Sequence, residues 1–542
     1  MMIRLVPWSS DVPQLSCPLG LVRTCLQAGL ALGWLVAGTA LAEVRALVIG
    51  IDAYQHITPL KGAVSDAEDV AQALRHIGVT DLTLRLNQEV TRDRLEQDWQ
   101  GMLARSHSGD TLVMSYAGHG SQEPERIPGN EVDGKDEVLV LAGFAPKGPG
   151  TGERLVDDEL SQWFHQANDQ GLDILFVADA CHSGTLTRGV DPRAGVGRVR
   201  YTAYTITDDE LDLAIPAPAA GGAGEEDLPR LTFLAGAQEN ETVPEINILD
   251  TQGHHSQRGA LSWAFARALE GQADQDGDGK LTRDEINHFV RANVRALAES
   301  RQTPNLLPMT DQGRVVMPVV AATRSATLTS QWPEARVLFR GADEHTVASL
   351  TEELTGITRV EDGEEADLIL DIRARQAVSG QGDVLARDLV RPALQTLIDK
   401  WSGLEKLKFE RLGDKLTMRV LPNDGIHRQG QEMAFEIDDI RLPYLVFFSL
   451  GGDGTLNFHY PLPDDPETVA TGRPVRVSFK VTPPFGADHI IAVASDQSLG
   501  ELAALLRSLD GKPAPRQALE AVIAAVRQGR RQLGIQGLYT AP

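Results

Sequence analysis

Two short runs carry the residue types that nucleophilic catalysis needs. Gly118-His119-Gly120 follows the apolar run TLVMSYA (111–117), and Asp179-Ala180-Cys181-His182-Ser183-Gly184 follows ILFVA (174–178). A free thiol, with a pKa of about 8.5, is only a few per cent thiolate at neutral pH. A nearby imidazole can take its proton and later donate one to a leaving amine. Cys181 and His119 would supply those two roles. Glycine lets backbone come close to a bound carbonyl, so the N–H groups of Gly120 and Cys181 would form the oxyanion hole. His182 adjoins the thiol in sequence, but neighbours at a strand end point apart, which ranks it below His119 as the base.

A second cluster is acidic. Residues 274–285 read DQDGDGKLTRDE. This run sets Asp274, Asp276, Asp278, the Lys280 carbonyl, Thr282 and Glu285 at positions 1, 3, 5, 7, 9 and 12 of an EF-hand-like loop, with Gly279 at the sharp turn such a loop requires. Oxygen ligands at that spacing suit Ca²⁺. Apolar helical segments, 260–269 and 286–297, flank the loop. A lone loop lacks the partner that sharpens calcium sensing, so extracellular Ca²⁺ levels would suit it as a structural site.

The elements that must position these groups alternate between residues 44 and 320. Residues 45–51, 82–86, 111–117, 174–178 and 231–235 read as buried strands, and 63–77 and 158–168 as helices. Strand and helix in alternation predict an α/β layer with a mostly parallel sheet and right-handed crossovers. Chemistry in such sheets collects at the carboxyl ends of the strands, where both runs fall. We assign 43–320 to this domain. Beyond it no cysteine and no catalytic spacing occurs. Strand-like 335–339 and 368–372 with helical 346–354 suggest a small α/β module, assigned to 321–424. Short strand-like runs at 433–437, 444–450, 455–460, 475–481 and 490–494 suggest a β-sandwich-like domain, 425–497. A helical tail, 498–542, closes the chain.

The 542 residues allow two to four domains of ordinary size. Lys and Arg number 51 against 76 Asp and Glu, a formal charge of −25. Such a surface repels phosphate backbones, which argues against nucleic-acid binding and favours basic partners or divalent cations. Arg23, the apolar run 26–41 and Ala40-Leu41-Ala42 ahead of Glu43 have the layout of a signal peptide, 1–42. Its cleavage predicts an exported protein, periplasmic or extracellular, with no stable membrane span. Cys17 and Cys25 would leave with it, and Cys181 would remain as the only thiol. An isolated thiol in an oxidising compartment asks for a chemical reason.

SYAGHG and DACHSG, whose His119 and Cys181 are 62 residues apart, resemble the dyad motifs of the caspase-like cysteine peptidases, most of all metacaspases and bacterial caspase-like peptidases. VIGIDAY, LKGAVSDAEDV, VDDEL and RGALSWAFARAL extend the resemblance from Val44 to Pro318 in the family's order. Asp-Ala-Cys in place of Gln-Ala-Cys points away from true caspases. The resemblance implies a caspase-like sheet and an endopeptidase acting on protein or peptide substrates with Arg or Lys before the cleaved bond. By motif position it implies an acidic pocket of Asp66 and Asp179, whose carboxylates would bind a guanidinium and refuse an acidic side chain. It further implies a linker, 185–229, between two parts of the catalytic unit. Cleavage in cis at one of Arg188, Arg193, Arg198, Arg200 or Arg230, and an intact loop, are both compatible with the sequence. A separate calcium site would involve Asp136, Asp157 and Asp158, although Arg188 stands where a fourth acid is expected. The rival expectation is an inactive caspase-like calcium-binding scaffold. The run YLVFFSLGGDGTLNFHYP with TPPFG resembles a β-domain of unknown role that often follows bacterial caspase-like domains.

Overall fold

The run VRALVIG is buried from Arg45 onward because it forms strand β1 (Val44–Gly50), inside a six-stranded sheet. β2 (Asp81–Leu86) and β3 (Thr111–Ala117) flank it, both parallel to it. A separate antiparallel sheet follows, of β4 (Gly120–Pro124), β5 (Lys135–Val140) and β6 (Arg154–Val156). β7 (Asp173–Asp179) and β8 (Leu231–Ala235) return to the main sheet. β9 (Glu245–Leu249) and β10 (His255–Gly259) form a hairpin. β11 (Lys280–Thr282) pairs with β13 (Val315–Pro318), while β12 (Asn305–Leu307) is the antiparallel edge strand beside β8. The main sheet runs β12-β8-β7-β3-β1-β2.

Alternation along the strands sends side chains to two layers. Leu47, Ile49, Leu112 and Met114 pack with Leu95 and Trp99 of helix α2 (Arg92–Arg105) and Leu160 and Phe164 of α3 (Asp157–Asp169). Ala46, Val48 and Val113 face Val70 of α1 (Ala63–His76), Phe265 of α4 (Ala260–Arg267) and Val290 of α5 (Arg283–Leu297). The expected α/β class and mostly parallel sheet are what the chain forms.

The second half begins with a five-stranded sheet around Ala335–Arg340, with its own core of Val337, Leu370, Leu394 and Ile398. It continues with two β-sheets that enclose Met418, Phe435, Phe447, Ile490 and Leu538. Helices Ala393–Phe409, Gly500–Ser508 and Pro515–Val526 cover the outer face of the larger sheet through Leu407, Leu506 and Val522. The helical tail expected at 498–542 needs correction. After two helices the chain forms strand Arg531–Ala541, which pairs along its length with Ala487–Ser495 inside the larger sheet. Both faces of that strand are buried, Leu533 and Ile535 under the helices and Leu538 inside the sandwich, so no polar alternation marked it.

All of this comes from a computed structural model that describes residues 42–125, 134–181, 199–204, 228–237, 241–249, 255–274, 276–298, 302–320, 332–380, 383–409, 414–422, 426–463, 465–527 and 529–542. From Ala42 onward they belong to one compact unit. The signal-like segment up to Leu41, His182, Arg188, Arg193 and Arg198 lie outside the described residues. Among those described, no helix is long and apolar enough to cross a membrane.

Candidate active site and candidate cation loop

β3 and β7 are neighbours in the sheet, with Ala117 opposite Asp179. Gly118-His119 and Ala180-Cys181 therefore leave the sheet side by side at its carboxyl edge. The two backbones nearly touch, and a Cβ on Gly120 would collide with the Cys181 carbonyl. Glycine is required there by contact. Two tyrosines hold the His119 loop: the His119 N–H donates to the Tyr54 hydroxyl at 2.8 Å, and the Tyr116 hydroxyl donates to the His119 carbonyl at 2.8 Å. The Tyr54 and His119 rings lie 4.8 Å apart.

His119 Nε2 lies 2.8 Å from the Thr58 carbonyl, which can only accept, so Nε2 carries the proton and Nδ1 the lone pair. Nδ1 is buried with no hydrogen-bond partner among the described residues. Burial lowers the imidazole pKa to about 4, the Thr58 bond opposing and the Arg200 guanidinium adding to the fall. The ring is thus neutral at physiological pH and can accept a proton. Cys181 is buried, and its thiol donates to the Glu241 carbonyl at 3.4 Å.

Residues 199–202 run through this cleft as an added strand. Val199 bridges Pro244 in antiparallel fashion and Tyr201 bridges Gly120 in parallel. The Arg200 N–H donates to the Val243 carbonyl at 2.9 Å, and the Thr202 N–H donates to the Gly120 carbonyl at 3.1 Å. The Gly120 and Cys181 N–H groups both donate to one oxygen, the Arg200 carbonyl, at 3.0 and 3.1 Å.

The Arg200 side chain is fully buried among acids. It pairs with Asp66, its Nη1 lies 3.1 Å from Asp179 Oδ2, and its Nη2 lies 3.7 Å from Glu245 Oε1. The structure thus brings Asp66 and Asp179 to one guanidinium and adds Glu245, which sequence reasoning missed. Glu245 stands across the β9–β10 hairpin from Gly259, a pairing that no local motif marks. It also accepts from the Gly62 N–H at 2.7 Å, at the start of α1. Gly259 forms the pocket's opposite wall, where a Cβ would strike Asp179 and Arg200. Burial pushes the Asp66 carboxyl up to about 7, against the pull of Arg200 and aided by the charge of Asp179. Three carboxylates this deep repel one another without a cation between them.

In the acidic loop, carboxylate oxygens of Asp274, Asp276 and Asp278 lie within 4.8 Å of one another. Gly277 and Gly279 take the positive φ values of 76° and 78° that the turns need. The Glu285 carboxylate accepts from the Thr282 N–H and hydroxyl at 3.0 and 2.8 Å, capping α5. Lys280 and Thr282 lie on β11, so the loop pairs with β13 where an EF-hand would pair with a second loop. The donor set fits a calcium ion, with Glu285 needing to turn from the cap. Asp136, Asp157 and Asp158 form no comparable cluster among the described residues. Burial, with Glu137 alongside, raises the Asp157 carboxyl pKa to about 8.

An α/β sheet presenting a thiol and an imidazole at adjacent strand ends defines a caspase-like cysteine peptidase architecture. Residues 43–314 match the peptidase family described as the caspase domain, and the chain belongs to that family. It is similar to Metacaspase-1 of Arabidopsis thaliana, 26% identical over 250 residues, which cover 44% of this chain and 62% of that protein. It is also similar to Metacaspase-1 of Saccharomyces cerevisiae, 29% identical over 151 residues, covering 26% and 34%. The chain thus spans only part of the length of these curated relatives. Among solved structures, a protein from Geobacter sulfurreducens aligns with a TM-score of 0.38 and 20% identity over 51% of this chain and 99% of that one. Caspase-1 from Spodoptera frugiperda aligns with a TM-score of 0.31 and 14% identity over 53% and 92%.

Proposed function

We propose that the chain is an exported cysteine endopeptidase that hydrolyses peptide bonds after arginine or lysine. One observation carries this reading: a carbonyl oxygen shared by the Gly120 and Cys181 N–H groups belongs to a residue whose guanidinium sits among Asp66, Asp179 and Glu245. A substrate bound the same way has its carbonyl polarised where negative charge develops during attack. His119 Nδ1 accepts the thiol proton, the Cys181 sulfur attacks the carbonyl carbon, and the imidazolium protonates the departing amine. Water then hydrolyses the thioester and restores the thiol. Arginine is preferred to lysine because its planar fork can serve more than one carboxylate.

Export rests on Arg23, the apolar run and Ala40-Leu41-Ala42 alone. Calcium would be held by Asp274, Asp276, Asp278, the Lys280 carbonyl, Thr282 and Glu285, as a structural ion steadying the start of α5. Peptides differing only in the residue before the cleaved bond test the peptidase reading. Cleavage after Arg should exceed that after Lys, peptides with Asp there should resist, and Cys181→Ala should lower kcat/KM by at least about a thousandfold. Unchanged cleavage by the Cys181→Ala protein would end the proposal.

A further inference from the structure

Glu245 is carried on a hairpin, unlike the other two acids of the pocket. Asp66 lies on α1 and Asp179 ends β7, both rooted in the catalytic core. A two-stranded hairpin is marginal on its own, and carboxylates that repel one another displace most readily the one least anchored. We infer that the second half of the chain supplies the anchor: Asp367, with Glu365 beside it, fixes the far end of the β9–β10 hairpin, holds Glu245 in the pocket and so sets the preference for arginine over lysine. The inference rests on the peptidase reading above and adds to it what residues beyond 320 do for the same site.

Alternation along the hairpin makes the connection. Ile246 and Ile248 enter the catalytic core, which leaves Glu245 and Asn247 on the opposite face of β9. Across the hairpin Gly259 pairs with Glu245 and Gln257 with Asn247, so these four share one face. One end of that face holds Glu245 and Gly259 at the pocket. Two residues on, about 7 Å away, its other end meets the second half. Asn247 donates to Asp367 Oδ1 at 2.8 Å, and Asp367 Oδ2 accepts the Arg336 N–H at 2.8 Å. Asp367 is buried and ties the hairpin to strand Ala335–Arg340, which is seated in a core of its own. Glu365 accepts from Gln257 and pairs with Lys61. The Lys61 N–H in turn donates to both Glu245 carboxylate oxygens, at 3.2 and 3.1 Å. Asp367 and Glu365 stand on the short connection between strands Ile357–Val360 and Leu368–Asp371. They are positioning residues, acting on the pocket through Glu245.

Arginine depends on Glu245 more than lysine does. The Arg200 guanidinium shows how: Nη1 faces Asp179, while Nη2 faces Asp66 and Glu245. A lysine ammonium is a single point charge and cannot serve both sides of the pocket at once. Withdrawing Glu245 removes one of the two acids at Nη2, so arginine substrates lose more.

The full chain tests this with paired peptides that differ only in Arg or Lys before the cleaved bond. Both values of kcat/KM come from one protein, so competition from Arg200 cancels in their ratio. Glu245→Gln should lower the Arg-to-Lys ratio at least about fivefold, and Asp367→Ala should lower it to a similar degree. Combining the two should lower it no further, because one acts through the other. Asn247→Asp sets two carboxylates face to face and should lower the ratio as well. Adding Asp367→Asn reverses the pair, the amide now donating from position 367 while its oxygen still accepts the Arg336 N–H, and should restore the ratio. Glu365→Gln should have a smaller effect, since its pair with Lys61 is open to water. Should Asp367→Ala fail to fold, the reversed pair, which keeps both hydrogen bonds, carries the same test. A folded Asp367→Ala chain with the wild-type ratio would overturn the inference and leave the peptidase reading standing. So would additive losses in the combined variant, or no recovery in the reversed pair. If wild type cleaves neither peptide, the peptidase reading falls and this inference with it.

Discussion

Asp66 lies fully buried between the Arg200 guanidinium and the Asp179 carboxylate, and its carboxyl pKa, about 7, is well above the ordinary carboxylate range. A raised carboxyl keeps its proton to higher pH, so acidification through that value removes a charge from the pocket. Cleavage after Arg should therefore weaken as pH falls through about 8 to 6, by up to about tenfold per unit once Asp66 is mostly protonated. His119, titrating near 4, does not contribute in that window. Asp66→Asn should be less active at pH 8 and nearly flat across the range. A variant with the wild-type profile would assign the titration elsewhere. Asp66 and Asp179 could be singled out from their motifs, because each adjoins a recognisable run. Glu245 could not, since its place in the pocket depends on a hairpin that brings a distant segment of chain to α1, and Gly259, although inside RGALSWAFARAL, carries no mark of the wall it forms.

The strand ends were legible at the scale of elements because each apolar run is interrupted by glycine and a chemically distinctive residue, and the neighbouring order of β3 and β7 then sets His119 beside Cys181. The clustering of Asp274, Asp276 and Asp278 was legible for another reason: their spacing is local. The loop's β11–β13 pairing was not, since Val315–Pro318 carries no mark of that partner. The loop ends at the Thr282–Glu285 capping box, so a bound cation would compete with helix capping for one carboxylate. Saturating Ca²⁺ should raise the melting temperature by a few degrees through its preference for the folded loop. Glu285→Gln retains an acceptor for the Thr282 N–H but loses the bidentate charge. It should keep the calcium-free melting temperature within about 2 °C and lose most of the calcium response, as should Asp274→Ala. Thermal melts with chelator and with excess Ca²⁺ decide this, and an unaltered response in both variants would move the ion to other ligands.

At the scale of the whole molecule, the second half is packed against the catalytic half. Arg295 of α5 reaches Gln536 at 3.4 Å, His288 lies 3.2 Å from Asp439, and Asn247 of β9 donates to Asp367 at 2.8 Å. The strand Arg531–Ala541 sits at the centre of this arrangement. Its helix-like reading failed because helices precede it and because burial on both faces erases the alternation that identifies a strand. Leu533→Ala should cost about 2–5 kcal/mol in urea unfolding of the second half, whereas Leu505→Ala, on an exposed helix face, should stay within about 0.5. Equal small effects would mean the strand is peripheral. The occupied pocket has a different consequence. Arg200 is nineteen positions from Cys181 in one chain, so its binding is unimolecular and neither dilution nor crowding changes its occupancy. A short covalent connection is equivalent to a local concentration on the order of millimolar. A free peptide at micromolar concentration then loses the competition by about a thousandfold even if it binds equally well.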